Sequence, residues 1–438
     1  MIKKCKIEKG KNMRDKKYIW ALLSVYLAYL THGIQAIVIS QNSANFQKQW
    51  GVDAGGISGV IAWTGLAKFV SVWICGEISD KIGRKIMIVI GAIMYVAFFG
   101  LLLTTSSVAV ASVAAFMAGL ATSFFDGACY AVAQESWTKA PGTAVILIKG
   151  VISVSGTIYP LLVASMSQSG NWKTLIVLPI IMSVVVLVVA LIAPYSYDEE
   201  LKELKDSKQS DPNAKLVDED AERGKARIKS PIPFFVICGC AIYGFIAMAT
   251  MYSAQQYLKS FGMAVLGMDE MWAASLNSIY TIGSFAAVVI WGVFMASLRW
   301  RTLKILLIDL AGSVVAYALV VLLRSPVMVQ IGAFAIGFFA AGGALQCGVA
   351  LMQEFHPGAK GRNLGIYYTF MGAASYIMPQ LAKIFYNMAG GNEAQAVINE
   401  MTVNLVLAVI GLLFMIFLAM NYKKWFGVSV FSKKGEDE

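Results

Sequence analysis

Residues 76–85 read GEISDKIGRK, with five charged side chains and two glycines in ten positions. On either side lies an apolar stretch of roughly twenty residues, the length that carries a helix across a hydrocarbon core of about 30 Å. The charged stretch is therefore a turn between two spanning segments, and the rest of the chain is read from it. Of 438 residues, 58% are hydrophobic and 14% charged, well under the ~25% charged residues of soluble domains. The chain is an all-α integral membrane protein. Its net charge of +10 reports topology and not nucleic acid, since no basic patch is interleaved with aromatics as a nucleic-acid surface requires.

Twelve apolar runs qualify as transmembrane helices, centred near residues 30, 66, 95, 121, 156, 183, 244, 284, 313, 339, 376 and 411. The first run is too long for a signal-peptide core and no small-residue cleavage site follows it, so it is expected to remain in the mature chain. Between the sixth and seventh runs, residues 195–230 are dense in charge of both signs and almost free of large apolar residues, the composition of a solvated linker. The expected organisation is a basic tail (1–17), a six-helix bundle (18–194), the linker (195–230), a second six-helix bundle (231–422) and a tail (423–438). All but six of the 36 lysines and arginines fall on the side of the termini and linker; the exceptions are Lys48, Lys173, Lys259, Arg324, Lys383 and the intrahelical Lys68. The bias of basic residues toward the cytoplasm predicts that both termini are cytoplasmic. Short tails and a compact linker suit a bacterial inner membrane.

The halves repeat. AVAQESW at the end of the fourth run parallels ALMQEFH at the end of the tenth, aligning Glu135 with Glu354. At the same offset Gly142 matches Gly361, and Pro160 matches Pro379. Two six-helix repeats related by an axis along the membrane normal are one transporter plan.

With this frame, Gly76, Asp80, Gly83, Arg84 and Lys85 resemble the loop signature of the major facilitator superfamily (MFS), and the resemblance extends over nearly the whole chain. In physical terms, Gly76 permits close helix approach and Gly83 a turn that other residues resist. Asp80 offers a charge for a helix amino terminus, while Arg84 and Lys85 suit an anionic leaflet or a carboxylate. The resemblance implies that Asp80 latches against the start of the eleventh helix near Arg362 and Asn363, and that Arg84 reaches toward Glu135. The second half, GVFMASLRWR, keeps Gly292, Arg299 and Arg301 but has Ala296 in place of the aspartate, so the latch is asymmetric.

Ionisable residues at membrane depth mark pathways or paired structural sites. Lys68 falls near the middle of the second run, with Thr64, Ser71 and Cys75 on its face; His32, Gln35 and Thr31 form a polar patch in the first. Asp126 and Lys149 are placed almost symmetrically about the turn between the fourth and fifth runs, which suits either a structural ion pair or a proton site at Asp126. The resemblance implies a central cavity lined chiefly by the first, fourth, seventh and tenth helices. On these and their flanking helices the candidates for substrate contact are Tyr130, Tyr243, Gln255 and Gln256, then Asn277, Tyr280 and Gln346, and finally Tyr376 and Gln380. Amides and tyrosines suit hydroxyl and carboxylate groups. Gly156, Pro160 and Pro379 are candidate helix hinges.

Six scattered cysteines and two histidines, His32 and His356, supply no zinc spacing or disulfide framework. No cofactor, metal or nucleic acid is expected, and no nucleophile–base pair points to an enzyme. The expected function is secondary transport by a monomer of a small polar solute, anionic or sugar-like, by alternating access with proton coupling. A multidrug exporter of the same fold is the first alternative; helix five, KGVISVSGTIYPLL, lacks the adjacent Gly-Pro that such exporters carry. A non-transporting membrane receptor is the alternative from another class.

Overall fold

The structure is a computed structural model that describes residues 16–137, 141–167, 170–207, 224–357 and 360–433. Among these every regular element is helical. The first pass is broken into α1 (Ile19–Gln35), α2 (Val38–Gln41) and α3 (Ser43–Trp50). It is followed by α4 (Ala54–Ile82), α5 (Arg84–Thr104), α6 (Val108–Asp126) with its continuation α7 (Cys129–Ser136), α8 (Pro141–Ser167) and α9 (Thr174–Ile192). A short helix, α10 (Ser196–Ser207), opens the linker. The second half comprises α11 (Phe234–Ala264), α12 (Glu270–Ser297), α13 (Thr302–Ala318), α14 (Pro326–Ile336) continued by α15 (Ala344–Phe355), α16 (Lys360–Met388) and α17 (Glu393–Phe426). Two π-helical turns interrupt it, Leu319–Leu323 after α13 and Gly337–Gly343 between α14 and α15.

Ten of the described helical passes are long and apolar enough by themselves to cross a membrane. The two remaining passes fall short for visible reasons. The first breaks after the 17 residues of α1, and α16 carries Arg362, Asn363, Gln380 and Lys383 among its apolar positions.

The ends of the helices near Tyr18, Gly83 and α10 define the linker side, and the opposite ends the far side. Four helices that begin on the far side are closed by a capping side chain: Asp53 for α4, Asp269 for α12, Ser325 for α14 and Asn392 for α17. Each accepts from a backbone N–H that the helix itself leaves unpaired. One apolar core is built by α1–α9 around Tyr29, Phe98, Phe99 and Phe125, with α11 and α16 adding Met248, Tyr252 and Met378. Two further cores lie within α11–α17, one around Trp291, Tyr367 and Tyr422 and one around Phe261 and Tyr317.

The halves meet along two seams, α4 against α16 and α8 against α12. Glycine makes the first seam possible, since a Cβ on Gly65 would collide with the Ser375 carbonyl. In the second, Ser278 Oγ donates to the Thr157 carbonyl at 2.6 Å, and Gly156 lies against Thr281. Gly156 thus serves a close approach between halves. Pro160 and Pro379 lie inside the continuous helices α8 and α16.

The linker departs from the featureless solvated loop expected of its composition. Ser196–Ser207 form α10, which docks where α4 meets α5; the stretch 76–85, expected as a turn, is helical except at Gly83. Tyr197 Oη donates to the Asp80 carbonyl at 2.8 Å and lies under the Arg84 guanidinium at 4.2 Å. Glu199 accepts from Lys17 Nζ at 2.6 Å and Tyr18 Oη at 2.7 Å. The alternating charges that read as solvation are partly consumed by this docking.

Because Gly65 faces backbone and Gly76 faces open space, the two should respond oppositely to alanine. Gly65→Ala is expected to lose about 1–3 kcal/mol by overpacking and Gly76→Ala to be neutral or stabilising by up to ~1 kcal/mol through helix propensity, both read by thermal unfolding in detergent.

Candidate functional site

A cavity of about 130 Å³ lies between the halves, toward the linker side of the middle. Its walls come from α4 (Lys68, Val72), the fourth pass (Asp126, Tyr130), α11 (Met248) and α16 (Tyr368, Met371, Gly372, Ser375). The seam delivers Lys68 there: Gly65 on one side and Gly372 packed on Phe69 on the other hold α4 hard against α16. Asp126 is the last residue of α6, where the pass breaks at Gly127 before α7. Its Oδ1 accepts from Tyr29 Oη at 2.7 Å, and the Tyr29 ring contacts Tyr130 and His32. Lys68 and Asp126 act on each other electrostatically without an ammonium–carboxylate contact within 4.0 Å. Among the described residues Lys68 makes no hydrogen bond or ion pair. A cation and an anion thus face the same cavity with space between them.

Of the two readings left open for Asp126, the ion pair with Lys149 is not formed. The Asp126 carboxylate is turned to Tyr29 and Lys68, and the charge of Lys149 acts on His32 instead. Equal depth across a helical hairpin favours pairing them, but depth leaves open which way each helix is rotated. His32 and Gln35 belong to a buried network: His32 Nδ1 is 2.8 Å from Tyr95 Oη, which lies 3.0 Å from Thr122 Oγ1 and 3.3 Å from Gln35 Oε1. They stand behind Tyr29, and the cavity wall is formed by others.

On the linker side, Arg84 Nη1 pairs with Asp80 at 2.7 Å and its Nε lies 3.6 Å from Glu135 Oε1. The helix amino terminus next to it, that of α5, is capped by Asp198 of the linker, which accepts from Arg84 N at 3.1 Å and Lys85 N at 3.3 Å. Lys85 closes the end of α9, its Nζ donating to the Leu191 carbonyl at 2.6 Å, and its charge also acts on the Asp198 carboxylate. Close approach at this level belongs to Gly127, whose added Cβ would meet the Cys75 carbonyl, and Gly76 has open space around it. Gly83, by contrast, requires its glycine, with φ +105°. The Arg362 side chain lies outside the described residues, as does that of Gln346.

The second half mirrors this arrangement. The Arg301 guanidinium lies over the Tyr422 ring at 5.9 Å, and Tyr422 Oη donates to Glu354. In each half an arginine from the turn after the second pass, a glutamate ending the fourth and a tyrosine following or ending the sixth come together.

On the far side the halves are hydrogen-bonded directly. Gln256 Nε2 donates to the Ala36 carbonyl at 2.7 Å, and Lys259 Nζ donates to the Gln41 carbonyl at 2.7 Å while pairing with Glu270 at 2.9 Å. Both acceptors lie where the first pass breaks and its carbonyls are released from helical bonding. Gln256, expected at the central cavity, therefore bridges the halves on the far side. Tyr243 and Asn277 are buried away from the cavity, and Tyr280 donates to the Met251 carbonyl within its own half. Gln255, Tyr376 and Gln380 are half-buried, and Tyr376 presents its backbone to Gly65. The sequence reading missed Tyr29, Tyr368 and the bridging role of Lys259. For Lys259 the signal was its spacing of three from Gln256 on one helix face; Tyr29 and Tyr368 carried none.

Two helical halves enclosing a charged cavity, joined by hydrogen bonds on one side of it, define a multi-pass membrane transporter. The Major Facilitator Superfamily profile matches residues 21–379, and the chain belongs to that family. Its relatives include the inner membrane transport protein YdiN of Escherichia coli (strain K12), 30% identical over 85% of this chain and 84% of YdiN. The inner membrane transport protein YdiM of the same organism is 29% identical over 93% of this chain and 95% of YdiM. Among solved structures, a mutant of the nucleoside transporter NupG aligns over 92% of this chain and 99% of its own, with a TM-score of 0.68 and 12% identity; that likeness concerns fold.

Hydrogen bonds to a charged group contribute roughly 1.5–3 kcal/mol, so Lys259→Ala should raise the population open on the far side by about 10- to 100-fold. Spin labels on cysteines introduced at exposed Lys48 and Gln395, in a background without native cysteines, would report this as a longer distance component.

Proposed function

We propose that the chain takes up a small organic anion together with a proton across a bacterial inner membrane, with the linker side cytoplasmic. The bundles 18–194 and 231–422 rock about the cavity to alternate access. The observation that carries this reading is the shared cavity of Lys68 and Asp126, in which the two charges face each other without contact. A carboxylate on the solute is the natural partner for a lysine that has no hydrogen bond among the described residues. The hydroxyl or ring of the solute would meet Tyr130 and Tyr368.

Coupling follows from competition. Ionised Asp126 attracts Lys68 and repels an incoming carboxylate; protonated Asp126 does neither. Proton and anion therefore bind better together than apart, a positive coupling free energy between two ligands. Their joint binding biases the equilibrium between the two orientations only by interacting differently with each. The basic-residue bias of the loops supports the orientation, and the far-side hydrogen bonds correspond to a state closed to the outside. The resemblance of two relatives named as inner membrane transport proteins supports the location.

Met248 and Met371 in the cavity wall favour a second reading, export of lipophilic compounds, because methionine adapts to varied apolar shapes. Thermal stabilisation of the purified protein separates the two. A ligand at about 100 times its dissociation constant adds roughly 2.7 kcal/mol. Organic carboxylates should stabilise the parent and fail on Lys68→Ala, while Asp126→Asn should bind the anion yet lose proton-driven uptake in proteoliposomes. Stabilisation by lipophilic cations alone, indifferent to Lys68, would replace uptake with export.

A further inference from the structure

The second half carries a buried carboxylate that the cavity does not use. Glu400 on α17 is fully buried. Its Oε1 accepts from Ser253 Oγ of α11 at 2.8 Å, and its Oε2 has no hydrogen-bond donor among the described residues. It lines a separate small cavity of about 30 Å³ on the far side, large enough for a water molecule. This cavity lies between the halves. The first half contributes Ser40, Ser43 and Ser58, and the second half Gln256, Tyr257 and Glu400. Gln256 also bridges the halves, bonded to the Ala36 carbonyl, so the cavity sits directly beneath the far-side closure.

No cation faces Glu400 among the described residues. The titratable groups around it are Tyr257 of α11 and Tyr317 of α13, with Glu393 of its own helix and Tyr386 of α16 at the cavity wall. The first-half wall is uncharged. Lys259 of α11 is engaged with Gln41 and Glu270, and Lys383 of α16 lies along Gly59. An ionised carboxylate enclosed this way, with one oxygen lacking a donor, costs several kcal/mol, and the neutral acid does not.

We infer that Glu400 is a proton-binding site of the far-side gate, occupied when the gate is closed and released when it opens. Separating the halves on the far side removes the serine wall and brings water to the carboxyl, where the ionised form is solvated. The proton thus binds the closed state more tightly than the open one, and that difference is what a proton needs to move the equilibrium. Lower pH favours closure, and higher pH favours opening. The site is separate from Asp126 and does not rest on the identity of the solute.

The test uses the Lys48 and Gln395 spin-label pair in the full chain in lipid nanodiscs, from pH 5 to pH 9, without solute. The open-state distance should grow with pH in the parent, and Glu400→Gln, which cannot ionise, should remain closed across the range. The Ser253 hydroxyl and the Asn404 amide both favour the ionised form, so Ser253→Ala, which removes the first, should move the midpoint upward; this variant decides the matter if Glu400→Gln fails to fold. Asp126→Asn should leave the response of the gate to pH intact even though it uncouples transport, which separates this assignment from the solute reading. A pH response that persists in Glu400→Gln, a Ser253→Ala midpoint unmoved or lowered, or a gate that follows sodium concentration at constant pH would overturn it.

Discussion

A charge held at membrane depth between two helical bundles costs several kcal/mol unless it is paired, hydrogen-bonded or neutralised, and the architecture follows that constraint. Lys259 is buried because the broken first pass offers it a free carbonyl at Gln41 and α12 offers Glu270. Asp126 is tolerated because Tyr29 donates to it and Lys68 shares its cavity. Glu400 accepts from one serine, and its second oxygen has no donor among the described residues. Where the pairing is incomplete, at Lys68 and at Glu400, the structure has cavities, and both lie between the halves, where a change of orientation alters what each charge meets.

The linker-side turns serve a different purpose. Each holds the ends of several helices of one half together through an arginine, a glutamate and a tyrosine, Arg84 with Glu135 and Tyr197 in the first half, Arg301 with Glu354 and Tyr422 in the second. Such charge-assisted contacts make each bundle a unit at this end, while the seams between units rely on glycine approaches such as Gly65 on Ser375. The polar clusters thus bind each half within itself, while the α4–α16 seam between the halves is extensive and built on close backbone approach. Asp198 and Tyr197 add the linker to the first unit, so the orientation of that bundle and the path of the linker are mechanically joined.

Much of this was legible in residue order. Hydropathy and the 219-residue repeat relating Glu135 to Glu354 set out the helical plan, because a bilayer admits only helices or closed barrels and length alone separates them. The same reading placed Lys68 and Asp126 at membrane depth, and the loop glycine Gly83 in a turn needing positive φ. What it missed depends on rotation and register. Lys149 and Asp126 match in depth yet face different neighbours, and Tyr29 is indistinguishable in the sequence from a core tyrosine.

The sequence by itself determined that the chain is a twelve-pass helical membrane protein of two related halves with a few charges inside, since hydrophobic length and charge exclusion are local properties. Only the tertiary structure decided which charges share a cavity, that Asp198 of the linker caps α5, and that Glu400 sits beneath the far-side closure. Those facts depend on how helices distant in sequence are turned toward one another, and side-chain packing across the seams sets that rotation.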